Sequence, residues 1–236
     1  MNNFKLPLLL ALSLGTGNAS ADALGLYVGG GSWNHDANGT FGTLGDDVIN
    51  VESDLSYSEE SDIYYYAAFE HFIPLLPNLR IEGATLGHTG TATNLDFNGV
   101  TVTGDSSIDL DTTDAILYWR LLDNWVNFDF GLNIRKLDGE FTIDTETVSV
   151  SETVPMLYLA AQFDLPFSGF SVGADINTIS LSDVTYQDVR LRAIYEMGII
   201  GFEAGYKTTT LELDDVSNVD ADLEFKGIMI GAFLHF

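Results

Sequence analysis

Apolar side chains recur at every second position through most of this chain, and that period leaves little room for anything but sheet. Between Val126 and Arg135, Val126, Phe128, Phe130, Leu132 and Ile134 share one face of an extended strand, and Asn127, Asp129, Gly131, Asn133 and Arg135 share the other. Phe170, Val172, Ala174 and Ile176 repeat the pattern, as do Val189, Leu191, Ala193 and Tyr195. The final segment follows it too, with Ile228, Ile230, Ala232, Leu234 and Phe236 opposed to Gly227, Met229, Gly231, Phe233 and His235. A helix would show a period of 3.6 instead. Beyond Leu14, no run approaches the ~18 apolar residues that a spanning helix requires.

Ten such strands are expected, at about 24–33, 62–73, 79–89, 112–121, 126–136, 154–163, 170–180, 187–196, 201–211 and 225–236. Each has the ~9–12 residues of a tilted membrane strand. Eight strands is the alternative count. The connections alternate in length. Short ones hold turn formers such as Pro77-Asn78 and Asp123-Asn124, and long ones fall near 34–61, 90–111, 137–153, 181–186 and 212–224. That asymmetry predicts an all-β, antiparallel, up-and-down transmembrane barrel with short turns and both termini on the periplasmic side of an outer membrane. Residues 1–21 read as a cleaved signal peptide, with Lys5, an apolar run Leu6–Leu14, and Ala19-Ser20-Ala21. Residues 22–236 then form one domain. Phe236, a terminal aromatic, is expected to mark the chain for the barrel-assembly machinery.

The charge is lopsided. Without Lys5, 8 basic residues stand against 35 acidic ones, a net charge near −27. Nucleic acid is thereby excluded as a partner. The 23 acidic residues in the long connections suggest extended acidic extracellular loops. These could gather Ca²⁺ or Mg²⁺ loosely, because both ions take carboxylate oxygens. Thirteen of the remaining charges sit on the parity away from lipid: Glu70, Arg80, Glu82, Asp114, Arg120, Asp129, Arg135, Asp175, Asp188, Arg190, Arg192, Glu203 and Lys207. A narrow barrel is filled by its own side chains, and enclosed charges must pair. These residues are expected to form a salt-bridged lumen. Phe72, Trp119, Trp125, Phe163, Phe167, Phe170, Phe202 and Phe236 would belt the short-turn end. Tyr57, Phe141, Tyr186 and Tyr206 would belt the other.

No phosphate loop, nucleophile elbow or dinucleotide fingerprint is present. The four histidines, His35, His71, His88 and His235, lack metal-ligand spacing. Neither a cofactor nor catalysis is expected. The enzymatic alternative is a rim-located hydrolase in which His88 and an aspartate activate water. There are no cysteines, so neither a disulfide nor a lipid-modified cysteine is available.

The stretch Leu24-Gly-Leu-Tyr-Val-Gly-Gly-Gly-Ser-Trp-Asn34, with the closing strand, resembles an uncharacterised family of proteobacterial outer-membrane barrels with a glycine pair in the first strand, loosely OmpW-like. Gly29–Gly31 would let neighbouring strands or enclosed side chains approach closely. The resemblance implies fold and location, with outer-membrane lipid and lipopolysaccharide as surroundings, but carries no substrate or site residue. The expected role is structural or interactive at the cell surface. The alternatives are a narrow channel or conduit for small, apolar molecules, and a soluble periplasmic sandwich. The sequence specifies no oligomeric state.

Overall fold

A computed structural model describes residues 24–46, 48–73, 75–123, 125–181 and 183–236, so the expected signal segment 1–21 lies outside the described residues. Among them are twelve strands: β1 (Leu24–Thr43), β2 (Ile49–Asn50), β3 (Glu60–His71), β4 (Asn78–Ala84), β5 (Gly87–Phe97), β6 (Val100–Asp123), β7 (Val126–Ile143), β8 (Glu146–Asp164), β9 (Phe170–Ser180), β10 (Val184–Met197), β11 (Ile200–Val216) and β12 (Val219–His235). All pairings are antiparallel. β12 returns to pair β1 from Tyr27 opposite His235 to Thr43 opposite Val219, which closes the sheet. β4 and β5 both pair β6, Ala84 opposite Thr112 and Gly87 opposite Asp109, so they form one stave interrupted at Thr85-Leu86. β2 is a two-residue strand against Thr40 and Phe41. The result is a closed ten-stranded antiparallel barrel, which removes the eight-strand alternative.

Residues 24 and 236 and the short turns share one end, called proximal below. Next to it the outer wall is apolar over residues 24–32, 63–73, 79–83, 115–122, 126–134, 155–163, 170–176, 189–195, 200–206 and 228–236. Ile63, Leu132, Ile228 and Ile230 are each about 60% exposed there. Nine residues of strand reach ~30 Å along the chain, and tilt reduces this to the thickness of a bilayer core. We take these stretches as the membrane-spanning segments. Trp125, Phe163, Phe170, Phe202 and Phe236 are exposed at the proximal rim, as an interfacial belt requires.

The distal half departs from expectation. The connections 90–111, 137–153 and 212–224 are mostly strand, joined by tight turns. Asn98 and Gly99 turn β5 into β6 with φ of 51° and 77°, and Ser217 and Asn218 turn β11 into β12 with φ of 54° and 68°. Positive φ at both central residues is the turn that matches strand twist. Alternation therefore continues beyond the membrane band, but its polarity reverses. On β7, Lys136, Asp138 and Glu140 take the outward positions, while Leu137, Phe141 and Ile143 are buried inside. On β12, Asp220, Asp222 and Glu224 face outward, and Val219, Leu223 and Phe225 face inward. Water now bathes the outer face, so the apolar residues have turned inside. This also corrects the distal belt. Tyr57, Phe141 and Tyr186 are buried, and of the four aromatics proposed for it only Tyr206 stands exposed.

Closure needs room. A Cβ on Gly31 would lie 2.0 Å from the carbonyl oxygen of Ile230, and one on Gly29 would lie 2.6 Å from Phe233 Cβ. We expect Gly31→Val to prevent β1 from meeting β12, lowering the yield of the compact, heat-modifiable form by roughly tenfold or more. Comparing gel migration of unheated and boiled protein reads this directly.

Candidate functional site

The interior is layered. In the membrane-spanning half, inward positions of β3, β4, β6, β7, β9, β10 and β11 carry charges, and register sets them in apposition. Arg120 grips Glu70 through both terminal nitrogens (3.0 and 2.7 Å), and its Nε donates to Asp129 (3.0 Å). Tyr118 also donates to Glu70 (2.7 Å). Arg80 Nε donates to Glu82 (2.7 Å), and its guanidinium lies 4.3 Å above the Tyr66 ring. Arg190 joins Glu82 to Asp175 (3.1 and 2.7 Å). Arg192 joins Asp175 to Glu203 (3.1 and 3.0 Å), and Glu203 accepts from Tyr64 (2.8 Å). Arg135 forks onto Asp114 at 2.7 Å and reaches Asp188 at 2.6 Å. Asn133 and Thr209 donate to those two carboxylates.

Twelve of the thirteen charged residues read from parity thus lie in this network of ion pairs. The thirteenth, Lys207, instead lays its ammonium 4.2 Å over the Trp33 ring. In a low-dielectric enclosure a paired guanidinium is worth keeping, because removing one member strands the other. Proximal to the network the lumen widens into a cavity of about 440 Å³, with Tyr27, Glu70, Arg120, Asp129, Glu196 and His235 in its wall.

Above the ionic layer the interior turns apolar. Trp33, Phe41, Phe97, Phe141, Leu223 and Phe225 pack together, and the Phe41 ring lies 5.1 Å from Phe141 and 5.9 Å from Phe97. Part of this core comes from the connection between β1 and β3. Ile49, Val51 and Leu55 have no exposed surface, so residues 48–59 fold inward as a strap. Backbone bonds fix it: Val51 N–H donates to Gly39 O (3.1 Å), and Thr91 N–H donates to Leu55 O (2.8 Å). Each apolar side chain buried there contributes roughly 1.5–3 kcal/mol.

The strap and its surroundings also enclose the histidine that the rim-hydrolase alternative would use. His88 is 1% exposed and His35 likewise, and their rings meet at 2.9 Å. No face of His88 is open to a substrate. Fifty-three residues separate the two, and only the way β1 and β5 approach across the strap unites them, which is why residue spacing does not reveal the pair. Among the described residues, no group of three or more His, Cys, Asp or Glu is placed to hold a metal ion. No helix among them is long and apolar enough to cross a membrane, a statement that does not bear on strands.

A closed wall, an apolar exterior band and an ion-paired interior define the class: a small transmembrane β-barrel. No family model matches the chain, and no curated protein matches it. Solved structures do. The outer membrane protease OmpT of Escherichia coli is 10% identical with a TM-score of 0.47, over 94% of this chain and 99% of that one. AlkL, solved in lipid bilayers, is 10% identical with a TM-score of 0.43, over 95% and 96%. OprG of Pseudomonas aeruginosa is 12% identical with a TM-score of 0.35, over 91% and 96%. The likeness is one of barrel architecture and transfers no activity, ligand or residue.

Arg135→Met leaves Asp114 and Asp188 buried without a partner. We expect it to destabilise the barrel by about 3–5 kcal/mol. Arg135→Lys should recover only part of this, because an ammonium cannot fork onto two oxygens. Urea unfolding of vesicle-embedded protein, followed by tryptophan fluorescence, measures both.

Proposed function

We propose that this chain is a non-conducting barrel of a Gram-negative outer membrane that presents rigid acidic β-hairpins to the outside. Its termini lie on the periplasmic side, lipid and lipopolysaccharide surround its apolar band, and its interior carries no catalysis. One observation carries the reading: the distal half is a water-facing barrel with its own apolar core, stacked on a lumen whose charges are linked in ion pairs. A pore needs a continuous wetted path, and the packed rings of Phe41, Phe97 and Phe141 across the distal interior support a closed one. The outward faces of the hairpins carry Asp105, Asp109, Glu140, Glu212, Asp220 and Asp222. Carried on paired strands, these acids form a fixed array that basic partners could recognise, and Mg²⁺ or Ca²⁺ would screen it.

Two measurements test this. In planar bilayers the purified protein should give no unitary conductance, and stepwise currents would replace the closed reading with that of a channel. The chain has no cysteine of its own. A Glu140→Cys variant should therefore be labelled on intact cells by a membrane-impermeant maleimide, and Ser168→Cys should not. The reverse pattern would invert the proposed orientation.

A further inference from the structure

Where β3 begins at Glu60, the distal edge of β1 loses its neighbour, and β5 pairs only with β6. The strap 48–59 fills the resulting gap in the wall. A chain of polar contacts crosses its root. His88 Nδ1 lies 2.9 Å from the carbonyl oxygen of Ser58, on the strap. A carbonyl only accepts, so His88 Nδ1 carries the hydrogen. The Nε2 of neutral His88 is then an acceptor, and His35 Nδ1 donates to it at 2.9 Å. His35 Nε2 in turn faces Asp62 Oδ2 at 3.2 Å. Asp62 is itself anchored by Gly87 N–H (2.7 Å) and Thr85 Oγ1 (3.2 Å), at the break between β4 and β5. A line of contacts thus runs from the strap to both edges of the gap.

We propose that His35 and His88 form an acid-sensitive latch that holds the strap in the barrel wall. The contacts have room for one added proton, between His35 Nε2 and Asp62 Oδ2. A second, on His88 Nε2, would set two N–H donors against each other across 2.9 Å and break the link to the strap. The groups facing the pair are Asp36 on β1, Glu60 and Asp62 on β3, Lys207 on β11 and Tyr57 on the strap, with Asp109 on β6 close to Gly87. The carboxylates favour charged rings, whereas burial, the neighbouring ring and Lys207 oppose them. Burial dominates, bringing His35 from 6.5 to about 4 and holding His88 below its ordinary value. Burial pushes Tyr57 up to about 12, which keeps its hydroxyl neutral throughout.

The sign follows. Rings freed to water regain their ordinary affinity for protons, so the released strap binds more protons than the latched one. The latch holds at neutral pH, takes its first proton between His35 and Asp62, and opens when the pH falls far enough below the ordinary histidine value for a second to reach His88.

The test uses the full barrel in lipid nanodiscs with one spin label, at Glu52→Cys on the strap, and a control at Glu140→Cys on the β7–β8 hairpin. The strap label should be immobile at neutral pH and loosen only as the pH is lowered below the ordinary histidine value of 6.5, while the control stays unchanged. His88→Gln keeps an amide that can donate to Ser58 and accept from His35 but cannot charge, so its strap label should stay immobile. A wild-type strap label that never loosens, or a His88→Gln label that loosens at the same pH, overturns the latch. Histidine ring resonances of the wild-type barrel supply a readout that needs no variant. The His88 ring must titrate at the strap label's midpoint, and a His88 ring that titrates apart from strap motion overturns it equally.

Discussion

Everything in this molecule follows from the pairing of its first strand with its last. A backbone in hydrocarbon has no water to bond, so an open sheet edge cannot persist there. β1 and β12 remove the edge, and the glycines at 29 and 31 make the seam tight enough to close. Ten staves enclose a space too narrow to stay empty. That dictates what the inward positions hold.

The interior solves its filling problem twice. Inside the membrane band the outward positions are committed to lipid, and the inward ones hold five arginines linked to seven carboxylates. Ion pairs fill the lumen while fixing which strand faces which, since each guanidinium fork accepts one geometry. Beyond the band the outward positions meet water, and the inward ones become an ordinary apolar core. The strap completes that core where β3 gives out. The two solutions abut at Arg135 and Leu137 on one strand, and at Phe225 and Gly227 on another.

Much of this was legible in the residues. Period two marks the staves, and parity marks the residues of the ionic layer. The distal hairpins were obscured by an assumption about solvent. Leu137, Phe141 and Ile143 alternate with Asp138, Glu140 and Thr142 as strictly as any membrane strand does. Acids on the outward parity look like loop only if the outside is taken to be oil. Asn98-Gly99, a strong hairpin signal, marks the β5–β6 turn in the sequence itself. The inward fold of 48–59 and the meeting of His35 with His88 were not legible. Both arise from where β3 stops and how β4 breaks from β5, which no local pattern encodes.

The reversal of polarity along each stave has a mechanical consequence. On β12 the outward residue changes from Ile228 to Lys226 within one step, on β7 from Ile134 to Lys136, and on β8 from Pro155 to Thr153. Sinking by one pleat would draw cations and hydroxyls into acyl chains, and rising by one would lift isoleucines into water. Around the whole circumference those penalties add, so vertical drift is resisted in both directions. The wall works as a depth gauge, and a bilayer of different thickness would have to deform to meet it.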